Sequence, residues 1–328
     1  MTYGIPYMGS KQGIVASIAM VLPKAENFYD LFGGGFSISH YMLKHKSHKY
    51  KNFHYNEIKS DIVELVKRAI NGEFNYQVFK PKWVSKEEFH AKKEGDAYIR
   101  CLWSFGNNQK GYLFGPDIEP YKKSMHNAVV FDEFDALAKE VLRLEQWPSN
   151  CKTITHKRFY LRQLVEHYRK TKIPKVLYQF LNEKQLATLL GESRPRGSYE
   201  LQQLKQLEQL QQLERLEQLQ QLQQLEQLEK LAFSSLSYEK VEIKNNSIIY
   251  CDIPYEGTSD YGNSFNRKYF LDWAANNPNP VYISEYNISD DRFSCVYKID
   301  KRSMLSKEKA LVLKSEKIYW NQKAINKI

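Results

Sequence analysis

Three short apolar runs in this chain each end on a carboxylate, and that repeated arrangement narrows the fold more than any other feature. The first, Asn27-Phe28-Tyr29-Asp30, runs into Gly33-Gly34-Gly35. The second is Phe53-His54-Tyr55-Asn56-Glu57. The third, Ser247-Ile248-Ile249-Tyr250-Cys251, leads into Asp252-Ile253-Pro254-Tyr255. Such runs read as buried strands, and open α/β sheets place their ligands at the carboxyl ends of strands. Gly13 to Leu22, Ser37 to about Leu43 and Asp61 to Ile70 have helical character, and Asn71-Gly72 closes the last. Residues 1–70 therefore predict βαβα, the first half of a doubly wound domain. Ser237 to Ile243 and Val281 to Glu285 read as further strands, and Arg267 to Ala275 as a helix.

The chemistry concentrates at the strand ends. Pro254 cannot extend a ladder and biases Ile253 toward an extended backbone. Asp252, the Ile253 carbonyl and the Tyr255 ring are thereby held close together. That set suits gripping an exocyclic amino group on a flat base, with two acceptors for its hydrogens and a ring to stack on. Taken alone, the tetrapeptide reads more simply as a strand end followed by a proline turn. Glycines after Asp30 let a backbone approach a ligand closely, and Glu57 occupies the place from which an acidic residue accepts ribose hydroxyls. Tyr7-Met8-Gly9-Ser10-Lys11 reads as a turn that opens a helix, where backbone amides and Lys11 suit a carboxylate or phosphate.

Bulk properties exclude several classes. Of the 328 residues, 42% are hydrophobic, enough for a real core. No apolar run approaches the ~20 residues of a membrane span. The first residues lack the pattern of a signal peptide. The four cysteines, Cys101, Cys151, Cys251 and Cys295, form no CxxC pair. This predicts neither a metal site nor a disulfide framework, and a cytoplasmic location. The net charge of +10 points to a polyanionic partner, most simply nucleic acid.

The order Tyr7-Met8-Gly9-Ser10-Lys11, Asp30-x-Phe32-x-Gly34, Asn56-Glu57-Ile58 and Asp252-Ile253-Pro254-Tyr255 resembles the Dam-like, D12 class of DNA adenine-N6 methyltransferases. Gly257-Thr258, Tyr261, Phe265 and Ile283-Ser284-Glu285-Tyr286 extend the resemblance, which covers about the first 70 and last 95 residues. It implies S-adenosyl-L-methionine as cofactor, double-stranded DNA as substrate, and direct methyl transfer to a flipped adenine. It implies that Tyr7 and Lys11 border the methionine end of the cofactor and that Asp30, Phe32 and Gly34 form the cofactor loop. Glu57 would bind the ribose. Asp252 would touch both cofactor and amino group, the Ile253 carbonyl would accept the second hydrogen under the restraint of Pro254, and Tyr255 would stack on the base. The chain departs from the family at two positions. A glycine is usual where Phe36 stands, and a proline is usual where Ile253 stands.

The resemblance also implies a recognition domain between the two halves. Residues 71–198 are rich in aromatic, basic and amide residues. Trp103 to Tyr112 has the means to read base edges and to wedge between bases. His156 to Arg162 and Arg169-Lys170-Thr171-Lys172 suit phosphates or, equally, a solvated helix face. From Leu201 to Leu231 every third residue is leucine, separated mostly by Gln and Glu. These residues favour helix, but each leucine falls about 60° behind the last, so the stripe circles the helix. A low-complexity helical insertion with no single docking face is expected. Lys307 to Ile328 is basic and poorly patterned.

The expected molecule is thus a doubly wound α/β methyltransferase-type sheet split by a target-recognition domain and a Leu/Gln-rich helical repeat. Residues 1–70 form the cofactor-binding half, 71–198 the recognition domain, 199–233 the repeat and 234–328 the catalytic half. A cognate restriction endonuclease is a candidate partner, and the oligomeric state stays open. An amino-methyltransferase acting on cytosine N4 or on RNA, and a catalytically silent DNA-binding module, are the alternatives.

Overall fold

The computed structural model describes residues 2–170, 210–255, 265–302 and 313–324. Gly257, Thr258, Tyr261, Thr171-Lys172 and residues 201–209 lie outside the described residues. The chain forms two compact units, one of Met1–Gly72 with Gln218–Ile328 and one of Glu73–Glu217.

The first unit is built on one sheet. Its strands are β1 (Asn27–Asp30), β2 (Asn52–Asn56), β3 (Leu231–Ser234), β4 (Ser247–Cys251), β5 (Val281–Glu285), β6 (Ser294–Arg302) and β7 (Leu313–Trp320). Their order is β3-β2-β1-β4-β5-β7-β6. The first five of that order run parallel, and β7 is antiparallel to both β5 and β6. β1, β4 and β5 are buried at every position, as strands covered on both faces must be. From β1 the chain passes through α2 (Ser37–Lys46), after α1 (Val15–Val21), to β2 and then α3 (Ser60–Ile70). The strand order reverses between β1 and β4, and the crevice at such a switch point is where this architecture binds ligands.

Two asparagines staple the strand ends. Asn56 donates to the Leu31 and Leu236 carbonyls and accepts from the Ser234 hydroxyl and the Leu236 amide. All four of its hydrogen-bonding positions are used, which ties β1, β2 and β3 together beside Glu57. Asn321 accepts from Val281 N at 3.0 Å and donates to the Ala274 and Asn279 carbonyls, anchoring the start of β5.

The second unit contains α4 (Lys86–Lys92), α5 (Ala97–Leu102), α6 (Glu119–Phe131), α7 (Ala136–Leu142) and α8 (Ile154–Lys170). The side chains of Ser85, Asp96 and Asp135 cap α4, α5 and α7 by accepting a backbone N–H three residues on. The boundary between the units falls within α9 (Gln211–Leu222), after Glu217. The first unit resumes there and later contributes α10 (Arg267–Asn276).

Three sequence expectations are corrected here. The repeat is not one helix to Leu231. α9 stops at Leu222, Gln227 takes a left-handed φ of 61°, and Leu231–Ser234 is the edge strand β3. Pairing with β2, Phe53 opposite Leu231 through Asn56 opposite Ser234, satisfies that backbone and overrides helix propensity. The leucines that circle the helix are nevertheless enclosed. Leu210, Leu213 and Leu216 in the second unit, and Leu219 and Leu222 in the first, are all fully buried. The second correction is Ser237 to Ile243, which holds only a 3-10 turn at Tyr238–Lys240 and no strand. The third is the C-terminal stretch read as unpatterned, which contains β7.

Candidate active site

The three carboxylates picked out at strand ends all reach the same edge of the sheet. Asp30 closes β1, Glu57 follows β2 and Asp252 follows β4, the two central strands β1 and β4 lying side by side. They sense one another electrostatically, since Asp252 and Glu57 both push the Asp30 pKa up. Burial is the larger cause, and Asp30 is raised to about 7. One Asp30 oxygen accepts from the Ser39 amide and hydroxyl at the start of α2, at 3.2 and 2.7 Å. The other, Oδ1, is buried without a hydrogen-bond partner among the described residues.

Glu57 is held by backbone. Its Oε2 accepts from Gly34 N at 2.9 Å and its Oε1 from Lys59 N at 3.1 Å. Burial raises its pKa against the opposing effect of those two bonds. The glycine loop is close-packed around two tyrosines. A Cβ on Gly33 would sit 2.2 Å from the Tyr55 ring, and one on Gly35 would sit 2.4 Å from Tyr7 Cβ. Gly34 has φ +46° and lies against the Tyr7 ring. The Tyr55 hydroxyl donates to the Gly34 carbonyl at 2.7 Å. Phe36 occupies the left-handed region at φ 67°, fully buried, its ring edge-on to Tyr55. Phe32 does not face a bare loop, because its ring packs with Tyr238, Phe265 and Phe270.

At the tetrapeptide a buried lysine joins two carboxylates. Lys11 Nζ lies 2.7 Å from Asp252 and 3.4 Å from Glu316 of β7. Burial pulls the Lys11 pKa down, but Asp252 and Glu316 outweigh it and hold the ammonium charged. The Tyr255 hydroxyl donates to Glu316 at 2.6 Å. The Lys11 ammonium also stands 4.6 Å from the Tyr255 ring centroid, and Tyr286 packs against the same ring at 4.6 Å. Ile253 is buried behind the motif and Pro254 is half-buried. Glu285, part of the Ile283-Ser284-Glu285-Tyr286 segment of the resemblance, ends β5 and pairs with Arg267 at 2.5 Å. One further group, Glu316, was missed by motif reading, because it lies in the stretch read as poorly patterned, where no sequence signal marked it. Among the described residues no cluster of His, Cys, Asp and Glu could hold a metal ion. No described helix is long and apolar enough to cross a membrane.

In the second unit, Trp103 to Leu113 doubles back on itself. Ser104 bridges to Tyr112, Phe105 N donates to Gly111 O, and Leu113 N donates to Trp103 O. Arg215 holds the base of this turn by donating to the Leu102 and Ser104 carbonyls, both at 2.7 Å. The amides expected to read bases are partly committed. Asn108 Oδ1 accepts from Lys110 N and Gly111 N, and Gln109 accepts from Arg100. Phe105, at 65% exposure, and Lys110 are the exposed large side chains at the tip. The basic run from His156 to Arg162 is mostly engaged. Lys157 is buried against Asp132 at 2.5 Å, Arg158 pairs with Glu214 and Glu217, and Arg162 pairs with Glu214. Those cations serve the unit's own packing before any phosphate.

Residues 7–100 match the family model of the D12 class N6 adenine-specific DNA methyltransferases. That span takes in Tyr7, Lys11, Asp30, Phe32, Gly34 and Glu57, while Asp252, Tyr255 and Glu316 fall outside it. No curated protein matches the chain.

Proposed function

We propose that this chain, an adenine-specific DNA methyltransferase by the D12 class match of its residues 7–100, takes its methyl group from S-adenosylmethionine and delivers it to the N6 amino group of an adenine flipped out of double-stranded DNA. The observation that carries the reading is the position of Asp252, directly after the central strand β4, ion-paired with Lys11 and three residues before Tyr255.

The residues fit a cationic cofactor. Asp252 and Glu316 share one ammonium, Lys11, while Asp30 feels the negative charge of both Asp252 and Glu57, so carboxylates dominate this edge of the sheet. Asp30 Oδ1, buried and unpartnered among the described residues, is an acceptor suited to an ammonium group. S-adenosylmethionine, when bound, supplies the methyl group as an electrophile. Glu57, fixed by Gly34 and Lys59, accepts the ribose hydroxyls, since a carboxylate retains acceptor capacity after two such bonds. Tyr7 and the Gly34 loop line the methionine end together with Lys11. Phe32 acts there through its place in the aromatic cluster.

Asp252 and the Ile253 carbonyl would accept hydrogen bonds from the two N–H groups of the target amino group, leaving its lone pair available, and Asp252 would be placed to take the one proton that nitrogen sheds on methylation. Tyr255 stacks on the base, and Pro254 keeps the Ile253 carbonyl aimed. The site contributes alignment, which is the larger part of what such a transfer needs. The base must leave the duplex because its amino nitrogen is unreachable in the stack. In the second unit Phe105 and Lys110 at the tip of the turn are the groups offered to DNA, one as a wedge and one to phosphate.

The test is labelled methyl incorporation into mixed-sequence duplex DNA, followed by digestion to nucleosides. N6-methyladenine is expected. Asp252→Ala is expected to abolish incorporation with an unchanged circular dichroism spectrum. N4-methylcytosine, transfer to RNA in preference to DNA, or parent-like activity of the variant would overturn the assignment.

A further inference from the structure

We infer that Glu316 of β7 is a positioning residue that ties the two ends of the tetrapeptide together, holding Asp252 through Lys11 and the Tyr255 ring through its hydroxyl. The inference rests on the reading above, in which Asp252 receives the amino group and Tyr255 stacks on the base.

The register of the sheet explains how so distant a residue arrives there. β7 runs antiparallel to β5, with Tyr282 opposite Trp320 and Glu285 opposite Lys317. Glu316 is therefore one step past the carboxyl end of β5, at the edge where β4 delivers Asp252. Its exposure is 1%, whereas its neighbours Ser315 and Lys317 are half-buried. A carboxylate this deep is tolerated only when it is paired and hydrogen-bonded. Here its Oε1 meets both Lys11 Nζ, at 3.4 Å, and the Tyr255 hydroxyl, at 2.6 Å. Charge-assisted bonds of this kind are short and directional.

The connection matters because Asp252 to Tyr255 follows the last ladder pairs of β4, and these side-chain contacts reach it from two other parts of the chain. Asp252, Lys11, Glu316 and Tyr255 form a continuous chain of contacts that begins and ends on the tetrapeptide. Lys11 enters from the turn before α1 and Glu316 from the opposite end of the sequence. Moving either one displaces an acceptor and a stacking ring at once. The titratable groups facing Lys11 include Asp252, Glu316, Tyr255 and Tyr286.

The experiment compares the full chain with Glu316→Gln, Tyr255→Phe and the double variant. It measures single-turnover methyl transfer to duplex DNA, S-adenosylmethionine affinity by calorimetry, the pH–rate profile and the melting temperature. Glutamine still accepts the tyrosine hydroxyl but cannot match the lysine charge. The rate of Glu316→Gln is expected to fall by at least about tenfold, because misplacement near 1 Å can reduce such rates by ~10²-fold. Its cofactor affinity is expected to stay within about threefold, the signature of an interaction felt in the reaction step. The alkaline limb of its profile is expected to move to lower pH, since Lys11 loses one of the two carboxylates that keep it charged. The double variant is expected to lose less than the product of the single losses, because both changes cut the same chain of contacts.

A Glu316→Gln rate within about twofold of the parent would overturn the inference. So would a loss explained by a lower melting temperature with the alkaline limb unmoved, which would make the residue purely structural. If Glu316→Gln does not fold, Tyr255→Phe decides. It keeps the ring and removes the bond to Glu316, and a parent-like rate would overturn the inference. A parent that transfers no methyl group to adenine would overturn the functional reading, and the inference with it.

Discussion

Phe36 holds a backbone conformation that suits glycine, with φ at 67° and its ring fully buried. A left-handed backbone disfavours a side-chain-bearing residue by about 1–2 kcal/mol. Removing a buried phenylalanine ring generally costs about 3–5 kcal/mol. The packing term wins, so Phe36→Gly is expected to lower stability by about 2 kcal/mol even though it relieves the backbone. Denaturant unfolding of the two proteins measures this, and a stabilised variant would show that the conformational term dominates. Asp30 makes a second prediction at this scale. With its carboxyl raised to about 7 by burial, it is partly protonated in the free protein near neutrality. A cationic cofactor favours the carboxylate, so affinity for S-adenosylmethionine is expected to rise from pH 6 to pH 8, a window set by the Asp30 pKa. Asp30→Asn is expected to flatten that rise. Calorimetry across the range checks both, and an unchanged slope in the variant would remove Asp30 from cofactor binding.

The helix α9 shows what periodicity means once a helix is surrounded. A stripe of period three is a poor coiled-coil seam, because coiled coils need a repeat of 3.5. On a helix covered on successive sides, however, leucines that circle the axis are what burial requires. Leu213 belongs to the core of the second unit, with Met125, Val129 and Trp147. Polar residues of the repeat are recruited as well. Arg215 holds two carbonyls beneath the Trp103–Leu113 turn, and Gln212 approaches His126 at 3.3 Å. Leu216→Ala is therefore expected to destabilise by about 2–5 kcal/mol, the range for buried leucines. An exposed antenna would show a change within about 0.5 kcal/mol. Urea unfolding distinguishes the two, and the small value would contradict the packing of α9.

For the molecule as a whole, buried histidines set a lower pH limit. His40 accepts from Gly4 N at 3.0 Å, and burial lowers its pKa to about 4. His126 shares a 2.9 Å hydrogen bond with the Pro81 carbonyl, which can only accept, so Nε2 carries the proton, and burial lowers its pKa to about 4 also. One lies in each unit. Both are depressed below the unfolded value of about 6.5, so their neutral forms favour folding fully above pH 6.5. That contribution is lost as pH falls toward 4, by up to about 3 kcal/mol for each residue. Asp30 works in the opposite direction, favouring folding below its unfolded pKa and losing that contribution as pH rises through about 7. Between pH 6.5 and 4 the histidines are expected to dominate, and His40→Gln is expected to reduce the acid sensitivity. Melting curves over this range test it, and an unchanged pH slope in the variant would reject the assignment.

Much of the site is local chemistry written in short segments. A strand of four or five apolar residues, a terminal carboxylate and a following glycine or proline are neighbours in the chain, so Asp30, Glu57 and Asp252 were legible as strand-end acids. Their strands appear within a residue or so of the expected bounds. The family resemblance assigned those acids roles, and the matched span covers the first two of them. Other features depend on partners far away in sequence. Leu231–Ser234 is a strand because β2 offers it hydrogen bonds, although its composition continues a helix-favouring repeat. Glu316 is legible only through the pairing of β7 with β5, which brings it to the edge of the sheet where Asp252 lies. Strand pairing and enclosure satisfy backbone groups and cover side chains across long separations, and neither leaves a periodic trace in the segment itself.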